Sequence, residues 1–246
     1  LPTYLIRKLE HFTALSEEDK RALELAASQK IRHVGPREDV IHEGDKARCV
    51  NLMLEGYACR YKSLEDGRRQ IVAFFIPGDI CDARMFMLKQ MDHSIATLSP
   101  ARLAEIPAEV FIELTAKSPG LARALAWNTL VEEAIAREWT LNVGQRSAYE
   151  RMAHLLCEFF VRLQVVGLTN GDSCELPMTQ AELADALGLS TVHVNRTLQE
   201  LRANHLITLR GKSLVVHDLS SLQEAGMFNS VYLHLERPRQ PLATPS

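Results

Sequence analysis

The chain has 246 residues, 46% of them hydrophobic, which suits one large domain or two modest ones with real cores. Its formal net charge is −3, and neither half is basic: residues 1–146 carry 20 Lys and Arg against 21 Asp and Glu, residues 147–246 carry 8 against 10. That balance argues against a generic nucleic-acid coat, and no apolar run reaches the ~18 residues that mark a membrane span. In chain order, residues 5–29 read as helical, with Leu5, Leu9, Phe12, Leu15, Leu23, Leu25 and Ala26 as apolar points. From Ile31 the pattern shortens to alternating runs, punctuated by Gly35-Pro36, Gly44-Asp45, Gly56, Asp66-Gly67 and Pro77-Gly78-Asp79. Turn signals at that frequency predict an antiparallel sandwich or roll, with Asp66-Gly67 as its clearest hairpin.

Residues 100–118 read as a return to helix, with Pro107 and Pro119 as breakers. A long helical run follows, in which Trp127, Leu130, Val131, Ala134 and Leu141 share a stripe, while Leu121, Leu125 and Ile135 lie off it. Two readings follow: a core helix packed only on its own roll, or, since two apolar faces suit two partners, a helix that also pairs with a second copy of the chain. Asn142-Val143-Gly144 is the expected hinge. Ser147 then caps a helix with Met152, Leu155, Leu156, Phe159, Phe160 and Leu163 as core and Cys157 among them. The five cysteines at 49, 59, 81, 157 and 174 are odd in number and scattered, which fits reduced thiols in a cytoplasm. No signal peptide is visible in the sequence as it stands.

The most specific segment is Met178–Val216. Thr179 and Glu182 form a capping-box pattern before Leu183, Ala184 and Leu187; Gly188 permits a tight turn; Ser190 caps a second helix with Val194, Leu198 and Leu201 inward. That helix turns Thr191, Val192, His193, Asn195, Arg196 and Gln199 outward. Arginine can grip guanine through two hydrogen bonds, and Asn or Gln can read adenine. Hydroxyls and a helix N-terminus suit phosphate oxygens. Two short strands around Arg210-Gly211-Lys212-Ser213 complete a winged helix-turn-helix with two cations at the wing tip. The tail 236–246, rich in proline, is expected to be disordered.

This segment resembles the C-terminal domain of CRP/FNR family transcription regulators, and the order of the whole chain agrees with that family. The resemblance implies double-stranded DNA as partner, with Thr191, Val192, His193, Asn195 and Arg196 at the base- and phosphate-contacting positions. Chiefly on this resemblance, the stripe from Trp127 to Leu141 is expected to be a homodimer seam. Val192 stands where many members carry a glutamate; a carboxylate accepts from cytosine, whereas valine can only touch a thymine methyl. The resemblance also makes the first part a cyclic-nucleotide-binding-like β-roll, whose phosphate cassette begins Gly-Glu-Leu and ends Arg-Ser or Arg-Thr. In this chain Gly78-Asp79 stands at its start and His93-Ser94 near its end. A mostly neutral histidine is a poor substitute for a permanent cation, so cyclic AMP or GMP is not expected to bind. The family's oxygen-sensing branch holds an iron–sulfur cluster on cysteines near the N-terminus. This sequence has none before Cys49, although its start at Leu1 leaves room for residues before it. His42, Cys81 and His93 lack the close spacing of a metal or heme site, so no cofactor is expected.

The fold expected is α+β: a β-roll over residues 1–118, a dimerisation helix over 119–143, and a winged helix-turn-helix over 144–235. The function expected is a sequence-specific, homodimeric DNA-binding regulator, with Thr179, Ser190, Gln199, Arg210 and Lys212 joining the family positions. RNA polymerase is the further partner if the chain activates. A second reading keeps the architecture but lets a ligand in the roll act through the Gly144 hinge. An enzyme is disfavoured: there is no G-x-S-x-G, H-E-x-x-H, P-loop or C-x-x-C.

Overall fold

The computed structural model describes residues 3–83 and 87–235. Two helices open it, α1 (Thr3–Glu10) and α2 (Glu17–Ser28), rather than one run over 5–29. The break has a local cause. The Ser16 hydroxyl accepts from the Asp19 N–H and the Asp19 carboxylate accepts from the Ser16 N–H, a capping box that starts a new helix. Leu25 falls on the outer face of α2 and is exposed, so it is not part of the core.

The roll comprises β1 (Ile31–Val34), β2 (Asp39–Ile41), β3 (Cys49–Glu55), β4 (Ala58–Ser63), β5 (Arg69–Phe75), β6 (Ile80–Cys81), β7 (Ser94–Thr97) and β8 (Ala101–Pro107). They form two antiparallel four-stranded sheets, ordered β1-β8-β3-β6 and β2-β7-β4-β5. Val34, Val40, Met53, Phe75, Ile95 and Leu103 form one core cluster of the roll. Each such side chain, fully buried, contributes about 1.5–3 kcal/mol. The expected hairpin is present: β4 pairs with β5, and Gly67 takes the left-handed conformation (φ 85°) that its turn needs.

Strand β8 corrects the helix expected over 100–118. Its Ala, Leu and Glu content favours helix, but it pairs on both edges, with β1 and with β3. Two ladders and near-continuous burial override that propensity. Only α3 (Ala108–Lys117) is helical there, starting directly after Pro107.

Helix α4 (Pro119–Gln145) has proline at its first position and the Ser118 hydroxyl accepting from Leu121 N–H. It stays helical through Asn142-Val143-Gly144, so the chain turns at extended Arg146 and not at the expected hinge. Ser147 and Glu150 then form a capping box for α5 (Ala148–Val166), which ends at left-handed Gly167. The rest is β9 (Ser173–Glu175), α6 (Gln180–Leu187), α7 (Thr191–Ala203), β10 (Ile207–Arg210), β11 (Ser213–Val216), α8 (Leu219–Ala225) and a 3₁₀ turn at Ser230–Leu233. One apolar cluster runs from α5, α6, α7 and the wing to Phe74, Ile76 and Trp139, so this part packs directly on the roll. The tail expected to be disordered, 236–246, lies outside the described residues.

Candidate nucleic-acid interface

Local sequence sets the helix-turn-helix. The Thr179 hydroxyl accepts from Glu182 N–H, and the Glu182 carboxylate accepts from Thr179 N–H, fixing the start of α6. Thr179 is thus engaged as a cap. Gly188 is left-handed (φ 63°) and its N–H donates to Ala184 O, which ends α6. Ser190 caps α7 by accepting from His193 N–H.

Helix α7 buries Val194, Thr197, Leu198 and Leu201 and exposes Thr191, Val192, Asn195, Arg196 and Gln199. Val192 is 79% exposed, a position no folding argument asks of a valine. His193 is half-buried, with Nε2 2.7 Å from Arg196 Nη2, and Asn195 Nδ2 donates to Gln180 Oε1 at 3.4 Å. In the wing, β10 pairs with β11 around Gly211 (φ 58°), and Arg210 and Lys212 flank that turn, both exposed. Among the described residues neither cation has a carboxylate partner, which leaves both available to phosphate.

The roll grips this unit through α6. Arg69 lies 2.8 Å from Asp185, Arg37 lies 3.3 Å from Glu182, and Gln70 Nε2 donates to Ala186 O at 3.1 Å. From the other side Arg151 donates to Leu187 O at 3.0 Å. These contacts fall on α6 and leave the outer face of α7 open.

The four effector-pocket candidates do not converge. Asp79 is buried and already engaged: Lys8 Nζ and Arg162 Nη2 each stand 2.7 Å from it, and the Ile76 N–H donates to it at 2.8 Å. Burial opposes its ionisation, but Lys8, Arg162 and the Ile76 N–H together outweigh that and hold the carboxyl below its usual value. Gly78 (φ 95°) lies against the Tyr4 backbone, where an added Cβ would come within 2.8 Å. His93 is held elsewhere, 2.9 Å from Asp82 and 2.6 Å from Asp92, with Asp82 also paired to Arg60. The Ser94 hydroxyl accepts from Glu43 N–H at 2.9 Å. Only Asp79 of the four lines the cavity between the roll, α4 and α5, which measures about 70 Å³. Sequence reading missed its other polar lining residues, Lys8, Arg60, Glu132 and Arg162. Burial pushes the Glu132 carboxyl above the usual range, and Asn128 donates to it at 2.7 Å.

The stripe expected at the dimer seam is divided. Val131 and Ala134 are buried within their own chain, and Trp127 stacks on Phe12 at 5.4 Å with His234 against its edge at 6.3 Å. Leu130 and Leu141 face outward, 61% and 46% exposed. The cause is rotational: Trp127 and Val131 turn toward α1 and the roll, whereas Leu130 and Leu141 lie at the opposite edge of the same stripe.

Two family models match the chain: "Cyclic nucleotide-binding domain" over residues 31–118 and "Crp-like helix-turn-helix domain" over residues 150–225. The transcriptional activator protein FnrL of Cereibacter sphaeroides is 31% identical over 211 residues, spanning 82% of this chain and 84% of its own length. The nitrogen fixation regulation protein FixK of Bradyrhizobium diazoefficiens is 31% identical over 195 residues, spanning 76% of this chain and 81% of its own. The structure of FixK2 from Bradyrhizobium japonicum superposes with a TM-score of 0.71 at 25% identity, covering 80% of this chain and 96% of that one. Two matched domains in this order, with an open recognition helix, make the protein a DNA-binding regulator rather than an enzyme; the chain belongs to the CRP/FNR family of transcription regulators.

Proposed function

We propose that the chain acts as a homodimer on a two-fold DNA operator and does so without cyclic AMP. The observation that carries the DNA reading is the outer face of α7, where Thr191, Val192, Asn195, Arg196 and Gln199 stand exposed above a capped, buried inner face. Arg196 suits guanine, Asn195 and Gln199 suit adenine, and Val192 suits a thymine methyl. Ser190 and Thr191 at the helix start, with Arg210 and Lys212 of the wing, suit the phosphates. With so few cations on a chain of net charge −3, pairing two readers is the economical route to affinity. Leu130 and Leu141 supply the outward apolar points of α4 for that pairing.

Independence from cyclic AMP rests on Asp79. By the family resemblance Asp79 stands where the cassette's glutamate would hold a ribose hydroxyl, but here both of its oxygens are already engaged by Lys8 and Arg162, and the cavity of about 70 Å³ is small beside the roughly 300–1,000 Å³ of small-molecule sites. Selection of bound duplexes from a random pool, with and without cyclic AMP, tests the reading. The expected outcome is one palindromic site in both arms, with half-site centres about 34 Å apart. An asymmetric single site would remove the two-fold operator, and enrichment only with cyclic AMP would remove the independence.

A further inference from the structure

The matched helix-turn-helix region ends at residue 225, yet the chain continues in ordered contact to Leu235. The geometry points to residues 226–235 as a brace that fixes the angle between α4 and the DNA-reading unit, with Tyr232 as its positioning residue. This rests on the proposed reading of a two-fold operator, where that angle sets the distance between the two recognition helices.

The segment begins by crossing α5 backbone to backbone. A Cβ on Gly226 would stand 2.5 Å from His154 N and 2.9 Å from Ala153 C, so only glycine allows this approach. Beyond it, Arg146, the extended residue where α4 turns into α5, donates to Met227 O at 3.3 Å. Phe228 meets the edge of the His154 ring at 5.2 Å, and Tyr232 stacks on that ring at 5.9 Å with planes 15° apart. Further on, Leu233 is buried and His234 reaches Trp127, in the third turn of α4. The segment therefore spans α4 from its third turn to its C-terminal cap and crosses the first half of α5.

Glu158 on α5 is the meeting point. Its carboxylate accepts from Trp139 Nε1 of α4 at 3.1 Å to each oxygen, from the Tyr232 hydroxyl at 2.9 Å, and from Arg162 at 3.4 Å. Three elements thus converge on one buried carboxylate. A rotation of α5 against α4 would strip donors from it, and a buried acceptor left short of donors is costly. None of these groups lies on α7 or the wing, so the brace acts through geometry alone.

Two variants of the full chain test this. Tyr232→Phe keeps the ring stack and removes one hydrogen bond, while Gly226→Ala forces the crossing apart. Hydrogen exchange of the amides at 140–151 reads the elbow directly and needs neither DNA nor a dimer. Binding to duplexes whose half-site centres are moved by one base pair reads the consequence. Tyr232→Phe is expected to speed elbow exchange at least about tenfold, the equivalent of about 1.4 kcal/mol in local opening. It should also flatten the preference for the native spacing while leaving affinity for a single half-site unchanged. Unchanged elbow exchange in both variants would overturn the brace. So would a wild-type spacing preference retained in both. A wild-type protein with no spacing preference would instead remove the two-fold operator, with elbow exchange still deciding the brace.

Discussion

Asp79→Asn is the most informative single change in the body of the protein. The amide keeps the shape and removes the charge. Lys8 and Arg162 would then face a neutral group, with side chains only 16% and 14% exposed. Arg162 retains Glu158 at 3.4 Å, whereas Lys8 has no second ion-pair partner among the described residues. Breaking a buried pair while leaving its partner in place costs about 3–5 kcal/mol. Partial solvent access for Lys8 places the expected loss near the lower end, still a large share of the roughly 5–15 kcal/mol that holds a domain together. The charge also fixes a pH signature. Asp79 is held below its ordinary pKa of 3.8, so its contribution is present above that value and lost as pH falls through the lower folded pKa. Guanidinium unfolding followed by tryptophan fluorescence, at pH 7 and at pH 3, measures both effects. Wild type should lose part of its advantage over Asp79→Asn at the lower pH. A loss under about 1 kcal/mol at pH 7 would refute the claim that this cluster ties α1, the roll and α5 together.

Two further outcomes follow from the same geometry. Leu130→Glu with Leu141→Glu should shift the proposed dimer to monomer in sedimentation equilibrium while leaving the circular-dichroism spectrum of a folded chain, because both side chains are exposed in the single chain; a dimer of undiminished affinity would place the seam elsewhere. Burial, with Arg146 nearby, lowers the His154 pKa from 6.5 to about 3, and its Nε2 lies 3.2 Å from Glu138 without hydrogen-bond alignment. The unfolded chain therefore binds a proton between those values that the folded chain does not, and wild type should lose stability as pH falls from 6.5 toward 3. His154→Leu should lose less over that window in urea titrations, and parallel curves for the two proteins would contradict the burial argument.

The helix-turn-helix was legible in the sequence because its determinants are local. Thr179 with Glu182, Gly188, Ser190 and Gly211 each act within a few residues, and each takes its expected place. The Asp66-Gly67 hairpin was legible for the same reason. Strand β8 was not, because its Ala, Leu and Glu residues favour helix and only pairing with β1 and β3 decides otherwise. The Lys8–Asp79–Arg162 cluster was invisible for a related reason: its members lie 71 and 83 positions apart, and no periodicity connects them. Helix α4 falls between these cases. Its two apolar faces could be read, but which face meets the roll depends on how α1 and α5 pack against it.

Whether α7 reads the bases is measured by titrating wild type and Arg196→Ala against the selected duplex. Arg196→Ala is expected to lose about 1–3 kcal/mol in binding and to relax the preference at one base position of each half-site. Equal affinity and an unchanged base preference in Arg196→Ala would contradict recognition by α7.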